Sequence, residues 1–376
     1  MRRSRLLLPC ALVLVACAAG SAAEAAPAQP WSDWDTFAAR FVQADGRVVD
    51  VTFGGKTTSE GQSYGLFFAL VAGRRDQFDT LLDWTSNNLA HGKLGKRLPA
   101  WLWGKRDDGS WGVKDENSAA DADLWTAYAL LEAGRLWNEP RYSDLGRALL
   151  ELIQRREVVQ AGAIGFVLLP APVGFDFGGG RYRLNPSYLP GFLLRYLAVT
   201  DPNGAWQSVW DDYLKIAPKI YASGVAPDRF FVDERGGVTA DTEAKPSGSY
   251  DAIRVYLWAG MSGPSPLLGL LTPYSALIVR FGMPPENVDP VSGTPLRSSY
   301  SPIGFSGAVL PYLSALGEKT MLDAQLERVR DAQRSAKESG KPTNYYDEAL
   351  ILFGKGWLDG QYRFDEQGRL LPSWSR

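Results

Sequence analysis

Three carboxylic acids carry the most chemical promise in this sequence. Glu60 lies in Thr57-Thr58-Ser59-Glu60-Gly61-Gln62-Ser63-Tyr64-Gly65, Asp121 in Ser118-Ala119-Ala120-Asp121-Ala122-Asp123, and Asp251 in Ser249-Tyr250-Asp251-Ala252-Ile253-Arg254. Each stands where a helix is expected to begin, and carboxyl groups of unlike pKa can supply acid–base catalysis without a metal. Each also has a structural alternative. Thr57 and Glu60 have capping-box spacing, Ser118 and Asp121 nearly so, and an Asp two residues after Ser249 suits the positive end of a helix dipole. Taken singly, the capping reading is favoured at every site. Against it stand small neighbours, Gly61, Gly65 and Ala122, that let another chain approach, and aromatic ones, Tyr64, Trp125 and Tyr250. Helix N-termini converging at one end of a helical assembly would line a single cleft with all three acids.

Other catalytic chemistries have little to work with. The chain holds one histidine, His91, and two cysteines, Cys10 and Cys17, both near its start. That is too little for a His/Cys zinc site or a Cys-His pair. A Ser-His-Asp triad would need His91, which sits in the polar stretch Asn87 to Lys96 with no nucleophile-elbow sequence nearby. Asp121-x-Asp123 has the form of metal-binding carboxylates, but the export signal and Trp-rich loops weigh against that chemistry, and neither metal nor cofactor is expected. The net charge of −2 attracts no nucleic acid. The 13 Trp and 16 Tyr are many for this length, and aromatic faces with polar edges match the flat faces of pyranose rings, although any one of them is more often a core residue.

The elements that must position these residues are mostly helices. Apolar spacing at i, i+3, i+4, i+7 recurs at Tyr64 to Val71, Leu124 to Leu131, Leu145 to Leu152, Ile253 to Gly260, Val309 to Leu316 and Ala349 to Gly356. Several of these are apolar on more than one face, as helices packed on two sides in a layered assembly must be. Short extended pieces are expected at Arg47 to Val51, Arg181 to Leu184 and Arg229 to Val232. The loops Ala161 to Gly180, Ala222 to Gly248 and Asn287 to Pro302 are long and rich in Gly, Pro and Ser, as cleft-building loops are. At the start, Arg2, Arg3 and Arg5 precede an apolar run, Leu6 to Ala16, too short to span a bilayer: a secretory signal. Cleavage after Ala25 is preferred, giving a signal over 1–25 and one catalytic domain over 26–376. Leu14-Val15-Ala16-Cys17 offers the alternative of a lipoprotein anchored through Cys17. The mature chain is then expected to be periplasmic or secreted, with no transmembrane segment.

The sequence resembles glycoside hydrolase family 8, most closely its periplasmic endoglucanases that accompany bacterial cellulose synthase, over Trp31 to Trp374. The likeness rests on Thr57 to Gly65, Leu98-Pro99-Ala100-Trp101-Leu102-Trp103-Gly104-Lys105, Asn185-Pro186-Ser187-Tyr188-Leu189-Pro190, Ser249 to Tyr256, and Phe353-Gly354-x-Gly356-Trp357. The signature Ala-[Ser/Thr]-Asp-[Ala/Gly]-Asp is present as Ala119-Ala120-Asp121-Ala122-Asp123, with Ala120 in place of the usual hydroxyl residue. The resemblance implies an all-α fold, an (α/α)6 barrel of six helical hairpins whose long loops and few short strands form a cleft at one end. It implies an inverting endo-β-1,4-glucanase with Glu60 as general acid, Asp251 as general base and Asp121 orienting the sugar. A β-1,4-glucan chain and the cellulose synthase secretion complex are the implied partners. Other members act on xylan, chitosan or mixed-linkage glucan, and a binding factor without turnover is the non-enzymatic alternative.

The expected sugar contacts are Trp101, Trp103, Tyr64, Tyr188, Tyr250, Arg254 and one or both of Tyr345 and Tyr346. A helix N-terminus lowers a carboxyl pKa, whereas a general acid must stay protonated, so something must oppose the dipole at Glu60. Desolvation and repulsion from Asp121 are the expected remedies. At Asp251 the dipole acts usefully, and Arg254, one turn later, helps keep that region anionic.

Overall fold

A computed structural model describes residues 31–297, 299–340 and 343–375. The expected signal segment, with Cys10, Cys17 and both cleavage sites, lies outside these residues. Thirteen α-helices are present among them: α1 (Ser32–Phe41), α2 (Ser59–Val71), α3 (Arg75–Trp84), α4 (Ala120–Leu136), α5 (Pro140–Glu157), α6 (Gly191–Thr200), α7 (Trp206–Ile220), α8 (Ala252–Met261), α9 (Pro266–Leu271), α10 (Pro273–Phe281), α11 (Ile303–Leu316), α12 (Lys319–Ser339) and α13 (Tyr345–Leu358).

Helices without a continuous polar face have to be enclosed, and six of these form an inner ring. In α2 every residue but Glu60 is buried, and in α8 all are. Neighbours around the ring are α2, α4, α6, α8, α11 and α13, closed by Phe353 of α13 stacking on Phe67 of α2 at 5.5 Å. Each inner helix has an outer partner: α3 on α2, α5 on α4, α7 on α6, α12 on α11 and α1 on α13, while Tyr274 of α10 stacks on Tyr256 of α8 at 3.9 Å. This is the expected (α/α)6 barrel. The six periodic stretches in the sequence correspond to α2, α4, α5, α8, α11 and α13. The outer α12 shows no comparable stripe, because only Gln325, Val329 and Ala336 of its length are buried.

Two features of the shared motifs have packing causes. Gly354 lies against Gly307 so closely that a Cβ would sit 1.8 Å from the Gly307 carbonyl oxygen, and only glycine lets α13 and α11 meet this way. At Gly356 a Cβ would meet the Trp31 ring at 2.6 Å. Inside the ring, aromatic residues fill the axis: Trp125 packs against Phe67 at 4.9 Å and Phe353 at 5.4 Å, and Phe192 stacks on Phe364 at 3.9 Å.

Short antiparallel ladders decorate the barrel. β1 (Thr57–Thr58), β2 (Leu102–Lys105) and β3 (Trp111–Asp115) form one sheet, which leads directly into α2. The loops expected at 161–180, 222–248 and 287–302 are partly ordered as β4 (Val158–Gln160) with β5 (Phe166–Leu168), β6 (Tyr182–Leu184) with β7 (Phe230–Val232) and β8 (Val238–Ala240), and β9 (Asn287–Val288) with β10 (Pro295–Arg297). β11 (Tyr362–Phe364) and β12 (Leu370–Pro372) form a hairpin after α13. The extended pieces at 181–184 and 229–232 match β6 and β7. The one expected at 47–51 is no strand: Val48 and Asp50 make only isolated bridges, to Val42 and Lys56, across tight turns.

Candidate active site

The three acids meet because their helices begin at the same end of the inner ring. Glu60 lies in the first turn of α2 and Asp121 in the first turn of α4, and Asp251 immediately precedes α8. At their centre is Arg254, its side chain only 4% exposed. Its Nη1 donates to Glu60 Oε2 at 2.7 Å and to Tyr346 Oη at 3.2 Å. Its Nη2 donates to Asp251 Oδ1 at 2.7 Å and to Ser187 Oγ at 3.0 Å, with Asp121 Oδ2 at 3.6 Å. A planar guanidinium with fixed, divergent donors can hold two carboxylates apart on different nitrogens, which a lysine cannot do. Arg254, expected as a helper of Asp251, is thus the hub of the whole cluster.

The spacings that suggested capping are not used for it. α2 is capped by Thr58, whose Oγ1 accepts from the Gly61 N–H at 3.1 Å, while the Thr57 hydroxyl donates to the Val48 carbonyl at 2.6 Å. Ser118 donates to Glu157 at 2.5 Å instead of closing α4. Asp121 Oδ1 takes one bond from the Ala122 N–H at 2.8 Å, and its buried Oδ2 has no hydrogen bond. The N-terminus of α8 is closed from outside, by Asp228.

Burial raises the Glu60 pKa most; Arg254 opposes this, Asp251 adds to it, and Lys56 opposes it. The expected contribution of Asp121 is replaced by that of Asp251. Repulsion between Glu60 and Asp121 shows instead on Asp121, whose pKa is pushed up to about 7 by burial, against Arg254 and with Glu60. Glu60 keeps 21% of its side chain exposed and Asp251 23%, so both reach the open side. Arg254 itself is held firmly protonated by the surrounding acids and phenols, against its burial.

The aromatic residues divide. Tyr346 belongs to the cluster, accepting from Arg254 and donating to the Tyr250 carbonyl at 2.6 Å. Tyr188 lies beside Arg254, its ring 5.8 Å from the guanidinium carbon. Tyr250 is 47% exposed and lines a cavity of about 620 Å³ together with Asp251, Asp228, Arg229, Lys245 and Glu286. Glu60 does not line it. Trp101 is half-buried, and its carbonyl accepts from the Ser59 N–H at 3.0 Å, which sets it beside Glu60. Tyr64 and Tyr345 are buried. The Tyr64 ring packs edge-on against Phe353 at 4.9 Å and Trp125 at 6.0 Å, and Tyr345 packs against Phe37 and Phe41, each at 5.8 Å. Neither ring has a face free for a sugar. Trp103 is half-buried, packed between Trp84, Trp111 and the Arg47 guanidinium, the last 4.2 Å from its centroid. Ser187 and Asp228 were not singled out from sequence. The first lies in the Asn185 to Pro190 motif, a signal that existed; the second stands in a loop with no local signature.

The profile described as glycosyl hydrolases family 8 matches residues 7–360. An endoglucanase of Xanthomonas axonopodis pv. citri is 44% identical over 382 residues, covering 100% of this chain and 98% of that protein. An endoglucanase of Escherichia coli K12 is 42% identical and covers 92% of each. The crystal structure of an endo-1,4-D-glucanase from Vibrio fischeri ES114 superposes with a TM-score of 0.85 at 40% identity, covering 92% of this chain and 100% of that one. An endo-β-1,4-glucanase from Acetobacter xylinum gives 0.69 at 26% identity, covering 86% and 96%.

Proposed function

The chain belongs to glycosyl hydrolases family 8, and we propose that it cuts β-1,4-glucan internally with inversion, Glu60 acting as general acid, Asp251 as general base and Asp121 as the carboxylate that orients the sugar. The observation that carries the role assignment is the single guanidinium of Arg254 holding Glu60 and Asp251 on different nitrogens. Inversion needs one carboxylic acid that gives a proton to the leaving oxygen and one carboxylate that activates water on the opposite face, about 6.5–9.5 Å away. Burial raises the Glu60 pKa and suits it to the first task. Asp251, beside Arg254 and 3.8 Å from Arg229, is suited to the second.

In this reading the glucan meets Trp101, Trp103, Tyr188, Tyr250, Arg254 and Tyr346, which is supported by their position beside Glu60, Arg254 or the cavity or by a shared motif. Among the described residues no helix is long and apolar enough to cross a membrane. The Arg-led apolar start supports export to the periplasm and cleavage near Ala25. The test is chemical. Purified protein should release reducing sugar from carboxymethylcellulose, and proton NMR of cellopentaose hydrolysis should show the α-anomer first. First appearance of the β-anomer overturns inversion; no release at all returns the chain to glucan binding without turnover.

A further inference from the structure

Helix α8 secures the carbonyls at the base, Asp251 accepting from the Arg254 N–H at 3.1 Å and Ser249 from the Ile253 N–H at 3.0 Å, but not the N–H groups. Asp251 is the residue before α8, its side chain makes no cap, and Ser249, two residues earlier, donates its hydroxyl to the Glu286 carbonyl at 2.6 Å. The exposed N–H groups at this end are taken by one atom from a distant loop. Asp228 Oδ1 accepts from Ser249 N at 2.8 Å, from Asp251 N at 3.1 Å and from Ala252 N at 2.8 Å. The loop is itself pinned, the Asp228 N–H donating to the Ser247 carbonyl at 2.6 Å.

We propose that Asp228 is the positioning residue of the general base, fixing through three backbone hydrogen bonds where the Asp251 carboxylate stands relative to its water. This rests on Asp251 being the base. Two constraints then act on Asp251 from opposite directions: Arg254 holds its Oδ1, and Asp228 holds its main chain. Arg229, next to Asp228 in sequence, lies 3.8 Å from Asp251 Oδ2, so one dipeptide touches both the backbone and the carboxylate of the base. Asp228 and Asp251 both border the cavity of about 620 Å³, the open space from which water reaches the base. A carboxylate oxygen accepting several N–H groups at a helix start is favoured by the helix dipole, and burying it beside Asp251 is the cost. A local Ser or Thr would cap α8 equally well; a carboxylate from another loop also locks that loop, and the cavity wall, to the base.

Asp228 acts only through Asp251, so the prediction concerns turnover and not affinity. Misplacement of a reacting group by about 1 Å costs about 100-fold in rate. Asp228→Ala should lower kcat on cellopentaose by about that factor with KM within about twofold, approaching the floor set by Asp251→Ala. Asp228→Asn keeps an acceptor oxygen in the same place and should recover most of the loss, which a need for negative charge alone would not allow. If Asp228→Ala does not fold, Asp228→Ser, whose shorter side chain cannot reach all three N–H groups, replaces it with the same expectation. Parental kcat in a folded Ala or Ser variant, or a loss confined to KM, overturns the positioning role while leaving the glucanase reading intact. A parent protein that releases no reducing sugar overturns that reading and this inference with it.

Discussion

Asp121 and Asp123 stand two residues apart on the first turn of α4, are both buried, and live in opposite electrostatic worlds. Asp121 faces the cleft, 3.6 Å from the Arg254 guanidinium. Asp123 faces α5, where its neighbour is a second buried acid, Glu157, which receives a hydrogen bond from Ser118. Neither Asp123 nor Glu157 makes an ion pair among the described residues. Two carboxyl groups packed together without a cation are stable only if they share a proton. Burial accordingly pushes Glu157 up to about 8 and Asp123 well above the usual carboxylate range. The difference teaches that burial alone does not make an acid catalytic. A buried acid without a cation is held neutral and serves packing, whereas one beside Arg254 is opposed in that shift and can exchange a proton in the reaction.

The largest test removes the cation. Arg254→Met leaves Glu60, Asp121 and Asp251 without it and turns the cleft into a site like that of Asp123, where acids lower their cost by taking up protons. Turnover should fall by about 10³-fold or more, and thermal melting should show a loss of about 3–5 kcal/mol, the usual effect of breaking a buried ion pair. Arg254→Lys should not restore activity, since one ammonium does not reach both carboxylates in the fork geometry. Near-parental rates in either variant would show that Arg254 is a packing residue.

Next come the two aspartates themselves. Asp121→Asn should fold with at most about 1 kcal/mol of stability lost and should lower kcat by about 100-fold or more. The repulsion between Glu60 and Asp121 falls on Asp121, and Asp251 is the acid that raises Glu60, so the alkaline limb of the pH profile should stay close to the parent's. Asp123→Asn, two residues away and off the cleft, should leave the turnover of folded protein and the pH profile close to the parent's. Equal effects from the two substitutions would erase the distinction drawn between them.

The smallest effect on turnover comes from Glu157, which acts on stability alone. A Glu157 whose folded pKa is about 8, against an ordinary value of 4.5, holds its proton in the folded state where the unfolded chain has lost it. Its stabilising share is complete below pH 4.5 and is lost as pH rises towards 8. Asp121 and Asp347 are raised to about 7 and about 6 as well, so denaturant melts of the parent should weaken across that window for several groups at once, and Glu157→Gln should make the slope shallower by up to about 1.4 kcal/mol per pH unit. An unchanged slope in the variant would exclude the shared proton.

The inner helices were legible because enclosure leaves a mark: α2, α4, α8, α11 and α13 are apolar on several faces, and that pattern is visible one residue at a time. Periodicity also marks the outer α5, and it misses the inner α6 and the outer α7 and α12. Within the site, Glu60, Asp121 and Asp251 were identifiable from their neighbours, and Ser187 stood in a motif already noted. Tyr345 and Tyr346 show where sequence stops: adjacent on α13, they point about 100° apart, one into the core against Phe37 and the other to Arg254. Asp228 shows the same limit from the other side, since 23 residues separate it from the backbone it holds. The sequence by itself determined which acids start helices and which helices must be enclosed, because both follow from spacing along one chain. Only the tertiary structure decided that three helix starts share one guanidinium, that the caps come from elsewhere, and that Asp123 is paired with another acid. Those outcomes depend on which helix ends are brought together, and packing between distant segments, not spacing within any one of them, sets that.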